Sequence, residues 1–301
     1  MFDLVTVGSF VIDRITSPQV ARSKKAVGGP AAYVSLAAGK LGARVSVLSK
    51  VGEDFREYIE WLQKNKVDLS YTQIVKSHPT TAFALTYNHP EQERRIQMTA
   101  EGPRILPKDI PSSLNARAIH VAPVANEMPI AMVQELRKKT ALISFDPQGF
   151  LREFDNARFA ALRKMVDLSF LRDCDVFKSS AEEIKTMTGH TKLEMAMKEV
   201  ADRGVEIVLA TMGNQGTWAL LNRDLHHIPA CEPSVVKDPT GAGDVFIGAF
   251  LAEYIQNREP LWCCCVGSAA ASFVIEEVGP QRIGGKGEVY ERATKIYEKG
   301  A

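Results

Sequence analysis

A short stretch near the C-terminal end of the 301-residue chain combines a carboxylate with several small residues. Residues 238–244 have the sequence DPTGAGD and run into apolar residues at helical spacing, so they predict a loop that leads into a helix N-terminus. Free N–H groups at such a terminus attract anions, and glycine lets a phosphate approach the backbone. Asp244 would lie beside that phosphate, placed to take a proton from an attacking hydroxyl. The pattern is therefore typical of a phosphotransferase.

Three other interpretations of the glycines are weaker. A glycine-containing loop that merely starts a helix is the plainest of them. A dinucleotide site would need a third glycine where Phe246 stands, and it belongs after a first strand rather than at position 241. A P-loop is not matched by residues 279–287, GPQRIGGKG, because the spacing is wrong and no Ser or Thr follows the lysine.

Two separated motifs resemble those of one known family. Residues 238–244 resemble the Asp-Thr-x-Gly-Ala-Gly-Asp signature of the ribokinase (PfkB) family of sugar and nucleoside kinases, with Pro239 in place of the usual threonine. Residues 28–42, GGPAAYVSLAAGKLG, resemble the second signature of that family. The resemblance covers essentially the whole sequence. It implies a single ribokinase-like kinase domain over residues 1–301.

The composition is that of an ordinary globular protein, with 45% apolar and 24% charged residues. The net charge of +1 offers no basic face for nucleic acid. No apolar run approaches the ~20 residues that cross a bilayer, and the N-terminus has the pattern of a strand rather than of a basic leader. We therefore predict a cytoplasmic protein without nucleic-acid or membrane partners. The five cysteines include no CxxC pair, so we expect small buried side chains rather than a metal site.

Short apolar segments alternate with helical patterns along most of the chain. Continuous apolar strands that alternate with helices indicate a parallel sheet covered on both faces, which makes the predicted fold a doubly wound α/β fold. Ligands collect at the carboxyl ends of such strands. The predicted strands are 4–8, 44–49, 118–122, 141–145, 176–178 and 207–211, and the predicted helices include 30–41, 55–66, 130–138 and 193–203.

Two segments break this rhythm. Residues 14–26 and 71–97 show strand periodicity, as in Thr81, Phe83 and Leu85. We predict that both contribute strands to a small antiparallel sheet, and the family resemblance implies a lid over the sugar site. An ordinary hairpin at the sheet edge is the alternative. The resemblance further implies a homodimer formed through the lid.

The catalytic group and the acceptor site are predicted around both motifs. Asp244 is the expected base, and Gly241, Ala242 and Gly243 are expected to donate N–H groups to the transferred phosphate. By resemblance, Asp13 accepts hydrogen bonds from substrate hydroxyls. Further acceptor-side candidates are Gly28 and Gly29, which permit close approach, with Tyr33, Gln148 and Asn126.

The donor side is assigned by resemblance to ATP and Mg²⁺. Ser180 and Glu183 align with the family's Asn-x-x-Glu element, in which the glutamate organises water around Mg²⁺; they also form a plausible capping box. Residues 211–216, TMGNQG, resemble the nucleotide-binding turn, which makes Thr211, Gly213 and Gly216 candidates. Asp238 and Gly279 are candidates on the donor side too, where a monovalent cation such as K⁺ is a further expectation.

The acceptor is left open by the sequence. Ribokinases proper carry polar residues where this chain has Val11, Tyr33 and Pro123, and their loss would leave ribose hydroxyls unpaired at ~1–3 kcal/mol each. D-ribose is therefore disfavoured, whereas a polyol such as myo-inositol, a hexose or a nucleoside all remain. A non-catalytic sugar- or nucleotide-binding regulatory protein on the same fold is the alternative from another class. Retention of Asp244 with both flanking glycines favours the kinase.

Overall fold

The computed structural model describes residues 1–17, 23–87 and 95–299. The strands are β1 (Phe2–Val7), β2 (Val11–Thr16), β3 (Lys24–Gly28), β4 (Val45–Val51), β5 (Val67–Asp68), β6 (Thr72–Ile74), β7 (Ala82–Thr86), β8 (Arg95–Ala100), β9 (Ala116–Val121), β10 (Leu142–Phe145), β11 (Arg152–Phe154), β12 (Ala160–Leu162), β13 (Val176–Ser180), β14 (Ile207–Thr211), β15 (Thr217–Leu221) and β16 (Asp224–Ile228). The α-helices are α1 (Pro30–Lys40), α2 (Arg56–Lys64), α3 (Met132–Arg137), α4 (Gln148–Leu151), α5 (Ala181–Thr188), α6 (Leu193–Asp202), α7 (Ala242–Tyr254), α8 (Pro260–Val274) and α9 (Lys286–Tyr297).

The central sheet has ten strands and is mostly parallel. Its order is β16-β15-β14-β13-β10-β9-β1-β4-β5, and β6 also pairs with β4. Every pairing is parallel except β14 with β15 and β15 with β16. The predicted doubly wound α/β fold is confirmed, and each predicted strand lies within two residues of an observed one. The antiparallel edge made by β15 and β16 was not predicted.

Helices cover both faces of this sheet, so two apolar cores form. One core holds residues of α1, α7, α8 and α9, and the other holds residues of α3, α5 and α6. Alternate residues of β13 belong to different cores: Val176 packs with the first and Phe177 with the second. This alternation follows from the two-residue repeat of a strand. The side chain of Lys178 therefore lies on the α7 side of the sheet.

A second sheet of four strands, in the order β3-β2-β7-β8, forms the lid. It has its own small core, with Ile15, Phe83 and Leu85 among its members. The prediction of a lid separate from the central sheet is confirmed, but the prediction that it is antiparallel is wrong. The lid is mixed, because β2 pairs parallel with β7 while the other two pairings are antiparallel.

The lid also differs from its predicted bounds of 14–26 and 71–97. It begins at Val11 and reaches Ala100, whereas Thr72–Ile74 pairs with β4 in the central sheet. The parts of those ranges at 18–22 and 88–94 lie outside the described residues.

The cysteines are buried as predicted, with Cys231 only half-buried and the consecutive Cys263, Cys264 and Cys265 fully enclosed in α8. Among the described residues, no helix has the length and apolar character of a membrane span.

Candidate active site

A cleft lies where the lid meets the start of α1 and the start of α7. The lid contributes an acidic residue and an apolar wall, and α7 contributes Asp244 from its first turn. The cleft is lined by Val11, Asp13, Gly29, Pro30, Tyr33, Phe83, Leu85, Ile96, Val124, Gln148, Arg152, Thr240, Gly241 and Asp244. The fold thus brings residues from both sequence motifs into one cavity.

Asp13 supplies the carboxylate of the lid. It lies on β2, where it is only 3% exposed, and it faces the cleft. β3 runs beside it, and a Cβ on Gly28 would collide with the Asp13 carboxylate. Gly28 therefore makes room for Asp13, while its neighbour Gly29 lines the cleft itself.

Residues 238–244, called the anion loop below, turn into α7 through Gly241. Gly241 adopts a left-handed conformation with φ of 79°, and a Cβ there would lie 2.5 Å from the ring of Tyr33. Both facts require glycine at this position. The amide of Ala242 donates to the carbonyl of Pro239 at 3.3 Å. Of the three predicted N–H donors to phosphate, Gly241, Ala242 and Gly243, Ala242 is therefore the least favoured. The first-turn amides of Gly243 and Asp244 precede the regular α-helical hydrogen bonds.

Asp238 holds the anion loop in place through two backbone hydrogen bonds. It is fully buried; its Oδ1 accepts the N–H of Thr240 and its Oδ2 accepts the N–H of Gly279, each at 3.0 Å. Asp238 thereby ties the loop to the turn at Gly279. The predicted roles of these two residues in donor or K⁺ binding remain predictions.

The ring of Tyr33 forms the floor under Gly241. The side chain is 1% exposed, and its hydroxyl has no hydrogen-bond partner among the described residues. Burial raises the pKa of Tyr33 well above its ordinary value, and the nearby carboxylates of Asp238 and Asp13 add to the effect. Tyr33 thus acts first as a support for the loop. A hydrogen bond from its hydroxyl to the acceptor remains a prediction.

The lid contacts the anion loop directly. The hydroxyl of Tyr87, which follows β7, lies 2.7 Å from the hydroxyl of Thr240, and both side chains are buried. The position of the lid is therefore linked to the conformation of the anion loop. Neither residue was predicted, because the contact joins positions 153 residues apart.

A buried ion pair lies against the same loop. Lys178, at 6% exposed, donates from Nζ to Oδ2 of Asp146 at 2.8 Å. A Cβ built on Gly243 would lie 2.7 Å from that Nζ. Burial alone would lower the pKa of Lys178, but the carboxylates of Asp146, Asp244 and Glu183 outweigh it and raise the pKa above its ordinary value. The lysine therefore keeps its charge beside the loop.

Ser180 and Glu183 form the predicted capping box at the start of α5. The Ser180 hydroxyl accepts the N–H of Glu183 at 3.1 Å, and Glu183 Oε2 accepts the N–H of Ser180 at 2.8 Å. Thr211, at the end of the neighbouring strand, donates its hydroxyl to the carbonyl of Ser179. These residues lie at the carboxyl ends of β13 and β14, next to Lys178.

The polar side chains of Ser180, Glu183 and Thr211 fit a hydrated magnesium ion. Among the described residues, no group of three or more His, Cys, Asp or Glu side chains forms a metal site. Mg²⁺ requires no such cage, because it keeps several waters and takes one or two carboxylates with the substrate phosphates. Glu183 is half-buried and electrostatically close to Lys178, so it suits the water-mediated role.

Of the remaining acceptor-side candidates, Gln148 lines the cleft and Asn126 does not. Gln148 lines the cleft; its N–H donates to Asp146, and its side-chain oxygen accepts from Arg152, which also donates to the carbonyl of Val124. Asn126 is not part of the cleft lining. Its amide donates to the carbonyl of Arg152 and its oxygen accepts from Arg163, so it holds the backbone near the cleft, and substrate binding by Asn126 remains a prediction.

The predicted nucleotide turn follows β14. Gly213 begins a single 3₁₀ turn that ends before Gly216. No atom of the described residues lies within 4 Å of a Cβ built on Gly213, so this turn borders open space.

Comparisons with known proteins agree with this geometry. Residues 1–283 match the model of the pfkB family of carbohydrate kinases. A nucleoside kinase of Methanothermobacter thermautotrophicus is 30% identical over 313 residues, covering 97% of this chain and 96% of the relative. A cytidine kinase of Thermococcus kodakarensis is 28% identical over 286 residues, covering 93% of this chain and 98% of the relative.

Solved structures show the same fold. The nucleoside kinase of Methanocaldococcus jannaschii superposes with a TM-score of 0.81 at 22% identity, over 98% of this chain and 99% of that one. A pyrophosphate-dependent kinase of the ribokinase family gives a TM-score of 0.83 at 22% identity, over 95% and 99%. The chain therefore belongs to the pfkB family of carbohydrate kinases, which is also called the ribokinase family, and it is a phosphotransferase that acts on an alcohol group.

Proposed function

We propose that this kinase phosphorylates a hydroxyl of a nucleoside, with Asp244 as the general base. The observation that carries the proposal is the meeting of Asp13, Asp244 and Gly241 in one cleft. Asp13 is placed to accept hydrogen bonds from the sugar hydroxyls, while Asp244 lies beside the first-turn amides that attract phosphate. One site thus orients the acceptor and holds the group to be transferred.

The apolar wall of the lid favours a nucleoside over a free sugar. Phe83, Leu85 and Ile96 face the cleft, and Phe83 stacks on Phe154 with ring centroids 6.3 Å apart. A flat, weakly polar base covers such a wall, whereas a hexose or inositol would place hydroxyls against it with no partners. The nucleoside and cytidine kinases, at 30% and 28% identity, support the same acceptor class.

The transfer step follows from these positions. Asp244 takes the proton of the acceptor hydroxyl, and the acceptor oxygen forms a bond to the terminal phosphorus of the donor. The bond from that phosphorus to the bridging oxygen breaks, and the leaving diphosphate keeps the electron pair. The amides of Gly241 and Gly243 stabilise the charge on the migrating group. A bound magnesium ion would neutralise the donor phosphates, with Glu183 holding its water.

The donor is proposed to be ATP, because residues 211–216 resemble the nucleotide-binding turn of the family and Gly213 within them borders open space. Pyrophosphate is the competing donor, since neighbours in fold use it.

A substrate panel tests acceptor and donor together. Purified protein is incubated with ATP or pyrophosphate, with and without Mg²⁺, and with nucleosides, ribose, fructose or myo-inositol, and the phosphorylated product is measured. The proposal predicts the highest kcat/KM for a nucleoside with Mg²⁺ and ATP. Preferred turnover of myo-inositol with pyrophosphate would overturn both assignments. Tight binding of one compound without turnover of any would instead support the regulatory alternative.

A further inference from the structure

The ion pair of Lys178 and Asp146 lies beside the first turn of α7, next to Gly243. Lys178 Nζ is adjacent to Gly243, whose amide belongs to the first turn of α7. Asp244, the proposed base, follows Gly243 directly and is close enough to raise the pKa of Lys178. The ammonium therefore lies within the space shared by the base and the anion loop.

Burying the ammonium of Lys178 in β13 costs desolvation free energy, so its presence calls for a functional reason. β13 is otherwise buried from Val176 to Ser179, and the neighbour of Lys178 on the same face, Val176, is part of the apolar core. A leucine or methionine would satisfy that packing without placing a charge under the loop. Asp146 holds the ammonium, and Asp146 is itself fixed through the N–H of Gln148 at 2.9 Å.

The charges around Lys178 indicate which group its ammonium could contact. Around Lys178 the carboxylates of Asp146, Asp244 and Glu183 outnumber the one ammonium. These carboxylates would repel the negative oxygens of a donor phosphate, and the ammonium of Lys178 offsets that repulsion. An ammonium has three N–H donors, and Lys178 donates one of them to Asp146. The other donors can point toward the loop.

We propose that Lys178, positioned by Asp146, contacts the migrating phosphoryl group beside the amide of Gly243 and neutralises charge during transfer. This inference rests on the proposed function. Lys178 makes and breaks no covalent bond and keeps its proton throughout. Its contribution is electrostatic and greatest when negative charge spreads over the oxygens of the group in transit.

The test separates this role from a purely structural one. Lys178→Met leaves Asp146 buried without its cation, so lost activity alone would be ambiguous. The double variant Lys178→Met/Asp146→Asn removes both charges and restores electrical neutrality. We expect kcat to fall about 10²–10³-fold in Lys178→Met and to stay at that level in the double variant, while the thermal midpoint recovers in the double variant.

A matched control uses a second enclosed lysine–aspartate pair, whose lysine lies on β4 rather than on β13. Lys50 lies 2.6 Å from Asp109, with side chains 13% and 11% exposed. Lys50→Met should lose stability and keep kcat. Recovery of kcat to within about threefold of the wild type in the double variant would overturn the inference.

Binding distinguishes this inference from the proposed function. Calorimetric affinities for ATP and for pyrophosphate are measured in the wild type, in Lys178→Met and in Lys50→Met. The inference predicts at least about tenfold weaker binding of the donor in Lys178→Met alone, at unchanged nucleoside affinity. A wild type that binds phosphate through Lys178 but phosphorylates no nucleoside would contradict the proposed function and support the inference. Equal donor affinity in all three proteins would overturn the inference whatever the acceptor.

Discussion

Three charged side chains meet at the point where the anion loop becomes α7. Asp244 is half-exposed to the cleft, while Lys178 and Asp146 form a buried pair beneath it. The aspartate of the loop could be predicted from sequence, because it lies in a motif of small residues whose order itself indicates an anion site. Lys178 could not. Its place beside Gly243 depends on the register of three strands and the path of the loop, which no local pattern gives.

A residue-scale prediction concerns Gly243. Its backbone is helical, so alanine is tolerated there, but the new methyl group would lie 2.7 Å from Lys178 Nζ. The end of a lysine side chain can move, so the protein should fold. The methyl group would still narrow the proposed phosphate site and displace the ammonium. We expect Gly243→Ala to lower kcat about tenfold or more, with a small change in the thermal midpoint.

The control for this variant is Gly287→Ala. Gly287 lies in the first turn of α9, where no atom of the described residues is within 4 Å of the added Cβ. Alanine there should leave turnover unchanged and favour the helix by up to ~1 kcal/mol. Wild-type turnover in Gly243→Ala would show that phosphate does not approach this amide.

At the scale of elements, the lid contacts the anion loop directly. The strand alternation of residues 81–87 was recognised, and so was the helix at the loop. Their junction was not, because β7 pairs with β2 and thereby carries Tyr87 to Thr240. For the same reason the lid bounds were only partly predicted. Thr72–Ile74 has the propensity of a strand, but pairing with β4 decides its sheet.

An element-scale prediction follows from this junction. Thr240→Val removes the hydroxyl that contacts Tyr87 while keeping the side-chain shape. A net hydrogen bond contributes about 1 kcal/mol, so we expect a lower thermal midpoint and an acceptor KM raised severalfold, as the lid loses its link to the loop. Thr240→Ser should restore KM.

Thr188→Val serves as the comparison, because its hydroxyl donates to the carbonyl of Ile184 within α5, away from the cleft. It should lower stability without affecting KM. If Thr240→Val and Thr188→Val give the same acceptor KM, the lid is not coupled to the loop through this contact.

For the whole molecule, the alternation of strands and helices was enough to predict a parallel sheet covered on both faces. It did not predict β15 and β16, whose antiparallel pairing extends the sheet beyond β14. It also did not reveal His120. This residue lies fully buried on β9, with Nδ1 2.9 Å from the hydroxyl of Ser144, in a strand pattern that is otherwise apolar.

His120 gives the fold a predictable sensitivity to acid. Burial, with a further contribution from the charge of Lys178, lowers the pKa of His120 to about 3. The unfolded chain takes up a proton near pH 6.5, and the folded chain does so only near pH 3, so stability falls as the pH falls through this window. Between pH 7.5 and 5 the loss from this one group should be about 2 kcal/mol.

Urea denaturation at pH 7.5 and pH 5 measures this effect. We expect the difference in unfolding free energy between the two pH values to shrink by about 2 kcal/mol in His120→Asn. The exposed His78, changed to asparagine, should leave that difference as in the wild type. An unaltered pH dependence in His120→Asn would show that folding does not lower the pKa of His120.

The most direct measurement of the central claim is the turnover of Asp244→Asn with the preferred acceptor. Asparagine keeps the shape of the side chain but cannot accept the proton of the hydroxyl. We predict that kcat falls about 10²–10⁴-fold, while calorimetry finds the acceptor affinity nearly unchanged. Turnover near that of the wild type would contradict the assignment of Asp244 as the base, and with it the mechanism built on this loop.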